Sequence, residues 1–303
     1  MPSGTEKLPI LVSPDLLSRQ LETDKLVILD STVIVYTGDD GRKDSRPGLE
    51  EYLAGHIPGT RFADLLNDFS VKRKHARFGI PSAAAFSQAA SALGVSNDTQ
   101  LVIYSSSDPL WATRLWWLFK FFGHKKASIL DGGFSAWKTK GYPVETRPPE
   151  IVPGQFHARV QTDRLALKSD VLNAVADPSS TAKVIDVLSP EYFAGTAGNL
   201  YGYKRLGHIQ GATNVPAETV LSVTDRTFLP MEELRQLTKS LLRSGEQHII
   251  TYCGGGIAAT QMAFALEYAG CKNVQVYSGS LHEWSADPDM PMETGTNDTR
   301  PGF

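Results

Sequence analysis

The chain has 303 residues, room for two domains of ordinary size, and its 41% hydrophobic and 21% charged residues suit a globular protein with an apolar core. A net charge of −3 offers no global attraction to nucleic acid or to an anionic membrane, and no apolar run approaches the roughly 18 residues of a membrane-spanning helix. Two cysteines and seven scattered histidines supply neither a disulfide framework nor a metal-ligand spacing, and the opening residues lack a basic stretch followed by a long apolar one, so a cytoplasmic protein without metal or organic cofactor is expected.

Strand and helix patterns alternate along the chain. "KLVILDS" (25–31) reads as a buried strand, and "PGLEEYLAGHIPG" (47–59) as a helix closed by a glycine and a turn. "PSAAAFSQAASALG" (81–94) reads as a helix with proline near its start and glycine at its end. "QLVIYSS" (100–106) is a strand, "PLWATRLWWLFKFFG" (109–123) an apolar helix, and "KASILDGG" (126–133) a further strand. Such alternation predicts an α/β architecture, with a mainly parallel sheet flanked by helices on both faces.

The same order then returns. "AKVIDVL" (182–188) repeats the first strand, "GHIQGATNVP" (207–216) repeats the turn at 55–64, and "MEELRQLTKSLLRSG" (231–245) repeats the helix at 81–94. "QHIITYC" (247–253) matches "TQLVIYS", and "VQVYSGSLHEW" (274–284) matches "ASILDGGFSAW". His56 and His208 lie 152 positions apart, Ser105 and Cys253 148, and Trp137 and Trp284 147. A nearly constant offset means two copies of one domain, over 8–146 and 163–295, with the Pro-rich stretch inside 147–162 as linker.

In the second copy "HIITYCGGGIAATQMAFALEYAG" (248–270) sets a thiol at the end of a strand, before three glycines and an apolar helix starting near Ile257 or Ala258. Ligands of open α/β sheets bind beyond the carboxyl ends of strands. Gly254, Gly255 and Gly256 let the backbone curl so that amides turn inward, and the helix start adds unpaired N–H groups and the positive end of its dipole. Such a cradle favours a thiolate or a persulfide anion on Cys253. Taken alone, the stretch also fits a buried, inert cysteine in a strand-to-helix turn. In the first copy Ser105 stands at the matching position, and a hydroxyl cannot carry a persulfide.

The paired "GHIPG" and "GHIQG" turns, the "LDGGFSAW" and "YSGSLHEW" strand ends and the cysteine–glycine loop of the second copy resemble the tandem rhodanese-type sulfurtransferases over about residues 8–293. The resemblance implies two tandem rhodanese-like domains, the first without a catalytic cysteine. It implies sulfane-sulfur transfer from thiosulfate or 3-mercaptopyruvate, a small anionic donor, through a Cys253 persulfide to cyanide, a thiol or thioredoxin. It also implies Gly254, Gly255, Gly256, Ile257 and Ala258 as the loop that holds substrate. Related Cys-x5-Arg phosphatases clamp phosphate with arginine, but Ala259 occupies that place here. A rhodanese-type binding module without catalysis is the alternative.

The donor signatures are mixed. Thiosulfate-type relatives follow the cysteine with two basic residues, where this chain has Gly254 and Gly255. Mercaptopyruvate-type relatives have an uncharged loop whose serine corresponds to Gly255, and an arginine near the position of Tyr192. The basic residues of that segment are Lys204 and Arg205, and Arg205 is expected to bind the donor anion, since a guanidinium suits a carboxylate. His56 has a family counterpart linked to substrate handling, yet its twin His208 argues for a shared turn-stabilising role. The basic run "VKRKHARF" (71–78) either faces the interdomain cleft or forms a solvated loop. Trp111 is expected to wall the cleft, Trp116, Trp117, Trp137 and Trp284 to pack in cores, and Cys271 to be a small buried residue. His282 and Glu283 form no recognisable dyad.

Overall fold

Near-continuous apolar strands such as Leu26–Asp30 and His248–Tyr252 suit a parallel sheet covered on both faces, and each becomes a central strand of one. The computed structural model describes residues 8–23, 25–242 and 248–296. The first sheet runs in the order Leu11–Val12, Ala127–Leu130, Gln100–Tyr104, Leu26–Asp30, Arg61–Phe62, all parallel. The second repeats that order with Leu165–Ala166, Val274–Tyr277, His248–Tyr252, Ala182–Asp186, Thr213–Asn214. Even the register recurs, with Asp30 opposite Tyr104 and Asp186 opposite Tyr252. The matched tryptophans are fully buried, and their indole N–H groups donate to equivalent carbonyls, Trp137 to Pro143 at 2.7 Å and Trp284 to Pro291 at 2.9 Å.

Each Ser/Cys strand feeds a helix, Pro109–Phe121 in the first domain and Ala258–Tyr268 in the second. Both helices are apolar nearly all round because each is covered by its own sheet and by the other helix. Thr113 and Thr260 meet across this contact with hydroxyls 3.1 Å apart, and the Trp116 and Phe264 rings pack edge to face at 4.9 Å. One apolar cluster therefore runs through both domains, which fixes the second domain's cysteine loop against the first domain.

Two hairpins of the first domain extend toward that loop. Val33–Thr37 pairs antiparallel with Lys43–Pro47, and Val71–Arg73 with Ala76–Gly79. The first touches the second domain directly, the Lys43 amide donating to the Leu200 carbonyl at 2.8 Å. The segment expected as linker packs along the first domain: Phe156 is buried against Phe86 and Phe119, and the Arg159 and Gln161 amides donate to the Phe122 and Phe121 carbonyls. The repeated helix occupies Met231–Leu241, and the expected continuation at 243–245 lies outside the described residues. Among the described residues no helix is long and apolar enough to cross a membrane.

Candidate active site

Cys253 follows the last residue of the central strand His248–Tyr252 and is only 2% exposed. Backbone bonds lock it in place. Its N–H donates to Ser280 Oγ at 3.1 Å, its carbonyl accepts from the Leu281 amide at 3.1 Å, and the Gly254 carbonyl accepts from the His282 amide at 2.9 Å. Two of the three glycines are sterically required. A Cβ on Gly254 would collide with the Tyr203 hydroxyl, and Gly256 has φ +79° with the Ser278 carbonyl oxygen 2.5 Å from where its Cβ would stand. The resulting curl brings the Gly256 amide to 3.2 Å from Cys253 Sγ, to which it donates. The helix begins at Ala258, and its N-cap residue Ile257 offers no side-chain acceptor. The opening amides are thus left to whatever anion sits at the sulfur.

The sulfur lies in a cleft of ≈ 720 Å³ between the domains. Phe78 and Trp111 of the first domain wall one side, packed edge to face at 5.7 Å. Tyr192, Tyr201, Tyr203 and His282 of the second wall the other; Tyr192 and Tyr201 stand 5.6 Å apart, and the His282 ring meets Tyr203 at 5.0 Å. Burial, then the nearby Arg77 charge, pushes the His282 imidazole below its ordinary range, so it is neutral at pH 7. Burial, then the Cys253 charge, pushes the Tyr201 and Tyr203 phenols up.

The charges lining the cleft are largely self-compensated. Arg77 pairs with Asp44 and donates to the Lys43 carbonyl at 3.0 Å, while Arg226 reaches across the domains to Asp108 at 2.6 Å. Lys43 is the lining cation with no carboxylate partner among the described residues; its ammonium donates to Thr37 Oγ1 at 2.9 Å.

Several residues singled out from the sequence meet here. Gly254, Gly255, Ile257, Ala258 and Trp111 line the cleft with Cys253, and Gly256 presents its amide to the sulfur. Arg205 does not join them. Its guanidinium donates to four backbone carbonyls, those of Ser285 (3.2 Å), Met290 (2.9 Å), Trp284 (3.2 Å) and Asp287 (2.5 Å), and so clamps the 284–290 turn outside the cleft. With four of its five N–H donors on those carbonyls it is placed as a clamp of that turn, and the cleft geometry gives the expected donor-anchor role no support.

His56 and His208 are fully buried twins, each ring 2.8 Å from a backbone carbonyl through Nδ1, that of Tyr52 and that of Phe193, and neither lines the cleft. The 71–78 run divides: Arg77 and Phe78 face the cleft, while Lys72 and Arg73 are exposed on the hairpin. Ser105 is buried, with its hydroxyl 3.1 Å from that of Ser107 and, among the described residues, no ring nitrogen hydrogen-bonded to it to act as base. Cys271 lies beyond the far end of the helix Ala258–Tyr268, about 16 Å of helix from Cys253, and burial pushes its thiol up. The sequence reading missed Tyr201, Tyr203 and Arg114. A signal existed for the last, since an arginine in the middle of the apolar helix at 109–121 needs a buried partner.

A duplicated parallel α/β fold with a thiol at a strand end, under one backbone amide and an uncapped helix, defines a class of proteins that hold anionic sulfur or oxyanions. The Rhodanese-like domain family matches at residues 13–140 and again at 168–287, and the chain belongs to that family. It is 31% identical over 284 residues to the 3-mercaptopyruvate sulfurtransferase of Escherichia coli, covering 93% of this chain and 97% of that one. It is 32% identical over 305 residues to the mitochondrial thiosulfate/3-mercaptopyruvate sulfurtransferase 1 of Arabidopsis thaliana, covering 94% of this chain and 78% of the relative. The crystal structure of SseA from Escherichia coli superposes with a TM-score of 0.77 at 28% identity, over 90% of this chain and 99% of that one. The protein is a sulfurtransferase of this family.

Proposed function

We propose that Cys253 accepts the thiol sulfur of an organic monoanionic donor, 3-mercaptopyruvate, in preference to the sulfane sulfur of thiosulfate, and passes it to a thiophilic acceptor. The thiolate attacks the donor sulfur and forms an S–S bond. The C–S bond breaks, its electron pair leaves on the pyruvate enolate, and the enolate takes up the proton that the donor thiol gives up. The sulfur remains as a Cys253 persulfide. An acceptor such as cyanide, a thiol or thioredoxin attacks the outer sulfur, and the S–S electrons return to Cys253 as thiolate. A cytoplasmic setting accords with two unpaired cysteines.

The observation that carries this reading is the Gly256 amide aimed at Sγ from 3.2 Å at the head of an uncapped helix, an arrangement that favours sulfur bearing charge. The donor preference rests on the lining. Arg77 and Arg226 already face carboxylates and the exposed Glu218 adds a negative charge to the lining, so Lys43 is the one cation open to a donor carboxylate, beside aromatic walls that suit a carbon skeleton better than a hydrated dianion.

Steady-state kinetics with both donors tests it. The kcat/KM for 3-mercaptopyruvate should exceed that for thiosulfate, and Lys43→Met should raise KM for 3-mercaptopyruvate by about tenfold with kcat little changed, as expected for an ion pair made equally in ground and transition states. Arg205→Met should leave both KM values unchanged and lower the melting temperature. A thiosulfate preference, or a KM that responds to Arg205 and not to Lys43, overturns the donor assignment.

A further inference from the structure

Arg114 sits in the helix Pro109–Phe121 of the domain without the reactive thiol, and its side chain is fully buried. It points out of its own domain. Nη1 donates to the Gly256 carbonyl at 3.1 Å and Nη2 to the Phe78 carbonyl at 2.7 Å, while both reach Ser278 Oγ at 3.3 Å. The guanidinium carbon lies 5.2 Å from the centroid of the Trp117 ring. Among the described residues no carboxylate lies within ion-pair distance of it.

A buried guanidinium without an anion is costly, because carbonyl and hydroxyl dipoles replace only part of its hydration. Burial brings Arg114 down to about 10 even with Cys253, the one ionisable group that opposes it, holding it up. The two residues also grip the same glycine, Cys253 Sγ at its N–H and Arg114 at its carbonyl.

Among the other groups around the sulfur, Lys43 is the one cation of the cleft without a carboxylate partner among the described residues, and its ammonium is held at Thr37 Oγ1, 2.9 Å away. Tyr201, Tyr203 and Tyr252 feel the Cys253 charge, and burial pushes all three phenols up, so they stay neutral. His282 is held neutral by burial. Asp186 is spent on the Leu188 amide and lies behind Tyr252. Glu283 packs against Gly279, and Arg77 faces Asp44.

We infer that Arg114 is the counter-charge of the anionic sulfur on Cys253, reaching over from the thiol-free domain to hold Gly256 with its amide against that sulfur. It is a positioning residue that touches neither donor nor acceptor, and it gives the first domain a part in the chemistry of the second. The inference rests on the persulfide reading only in so far as Cys253 works as an anion.

The test uses the full chain with Cys271→Ser, so that alkylation reports Cys253 alone, and compares Arg114→Lys and Arg114→Met in the same background. The rate of iodoacetamide alkylation is followed against pH. Arg114→Met should move the alkylation midpoint upward by about one pH unit or more, the effect of losing one opposite charge at close range, and Arg114→Lys should move it less because the charge is kept. Should Arg114→Met fail to fold, the Lys variant decides together with thermal unfolding of Cys253→Ala. That variant should be less stable than the parent above neutral pH, where the parent's guanidinium has its anion, and nearly equal to it in acid.

An unchanged midpoint in folded Arg114→Met overturns the inference, as does a Cys253→Ala variant as stable as the parent at alkaline pH. Alkylation needs neither donor nor turnover. A shifted midpoint in a protein that never loads sulfur would therefore sink the persulfide and leave Arg114 in its role, and normal loading with an unmoved midpoint would do the reverse.

Discussion

Two strand ends occupy the same place in the two copies of the fold and are finished differently. In the first domain the strand Gln100–Tyr104 runs into Ser105, and the helix that follows is capped by its own acid, with Asp108 accepting from the Leu110 amide at 3.1 Å. In the second the strand runs into Cys253, the N-cap place that Asp108 holds is taken by Ile257, and the helix has no side-chain cap. One domain builds an anion into its helix terminus, and the other leaves that terminus open beside Cys253 Sγ. The helices show the same complementarity at their next positions. Arg114 reaches out to the opposite domain's loop, whereas its counterpart Gln261 turns back to the Ala217 carbonyl of its own domain at 2.7 Å. Duplication thus yields one site from two unequal halves, a reactive loop from one and a buried charge from the other.

The largest effect that can break this comparison is at the sulfur. Cys253→Ser makes the second strand end like the first, and turnover with either donor should fall by at least about a thousandfold, because a serine hydroxyl is not ionised at neutral pH and oxygen cannot carry a persulfide. Coupled donor-to-cyanide assays on the folded variant check it, and substantial residual turnover would mean that the domains do not differ as described.

A smaller effect separates the domains by pH. The matched strand-end carboxylates Asp30 and Asp186 are buried, and burial pushes them up, to about 6 in the first domain and about 7 in the second. A carboxyl raised on folding stabilises the native state fully below the ordinary carboxylate range, and that stability is lost as pH rises through the folded-state value. Unfolding free energy should therefore fall between about pH 4 and pH 7, and Asp186→Asn should remove about 4 kcal/mol of that pH dependence, with Asp30→Asn removing less. Chemical denaturation at a series of pH values reads it, and a profile untouched by Asp186→Asn would contradict the assignment.

The smallest expected effect sharpens the contrast from the other side. Ser105→Cys puts a thiol at the first strand end, yet the Asp108 carboxylate keeps that helix terminus occupied, so no second sulfur should load and turnover should stay within about a few-fold of the parent. Loading of two sulfurs per chain would show that the cysteine alone, without the glycine loop, suffices.

How much of this was legible in the sequence follows from what is local and what is not. The repeat, the alternating elements, the strand-end cysteine and its glycine loop are written in spacing and residue type, and they stand in the structure where the pattern put them. Arg205 stands outside the cleft, because a cation's position along the chain does not say which way a long side chain turns; packing turns it onto the 284–290 carbonyls. The tyrosines at 201 and 203, the hairpin at Val33–Pro47 and the inward-facing part of the 71–78 run reach the site only because two domains meet there, and no local period records that meeting. Arg114 was the exception, since a guanidinium among tryptophans and leucines on a buried helix already asks where its partner is.

The central claim, that one thiol held by both domains carries sulfur between donor and acceptor, is tested most directly by intact-protein mass spectrometry after incubation with donor alone. The account predicts a gain of one sulfur atom per chain, localised to Cys253 by peptide mapping, removed by cyanide and absent from Cys253→Ser, with Cys271→Ser loading as the parent does. Sulfur found on Cys271, or no gain with 3-mercaptopyruvate or thiosulfate in a folded protein, would contradict it.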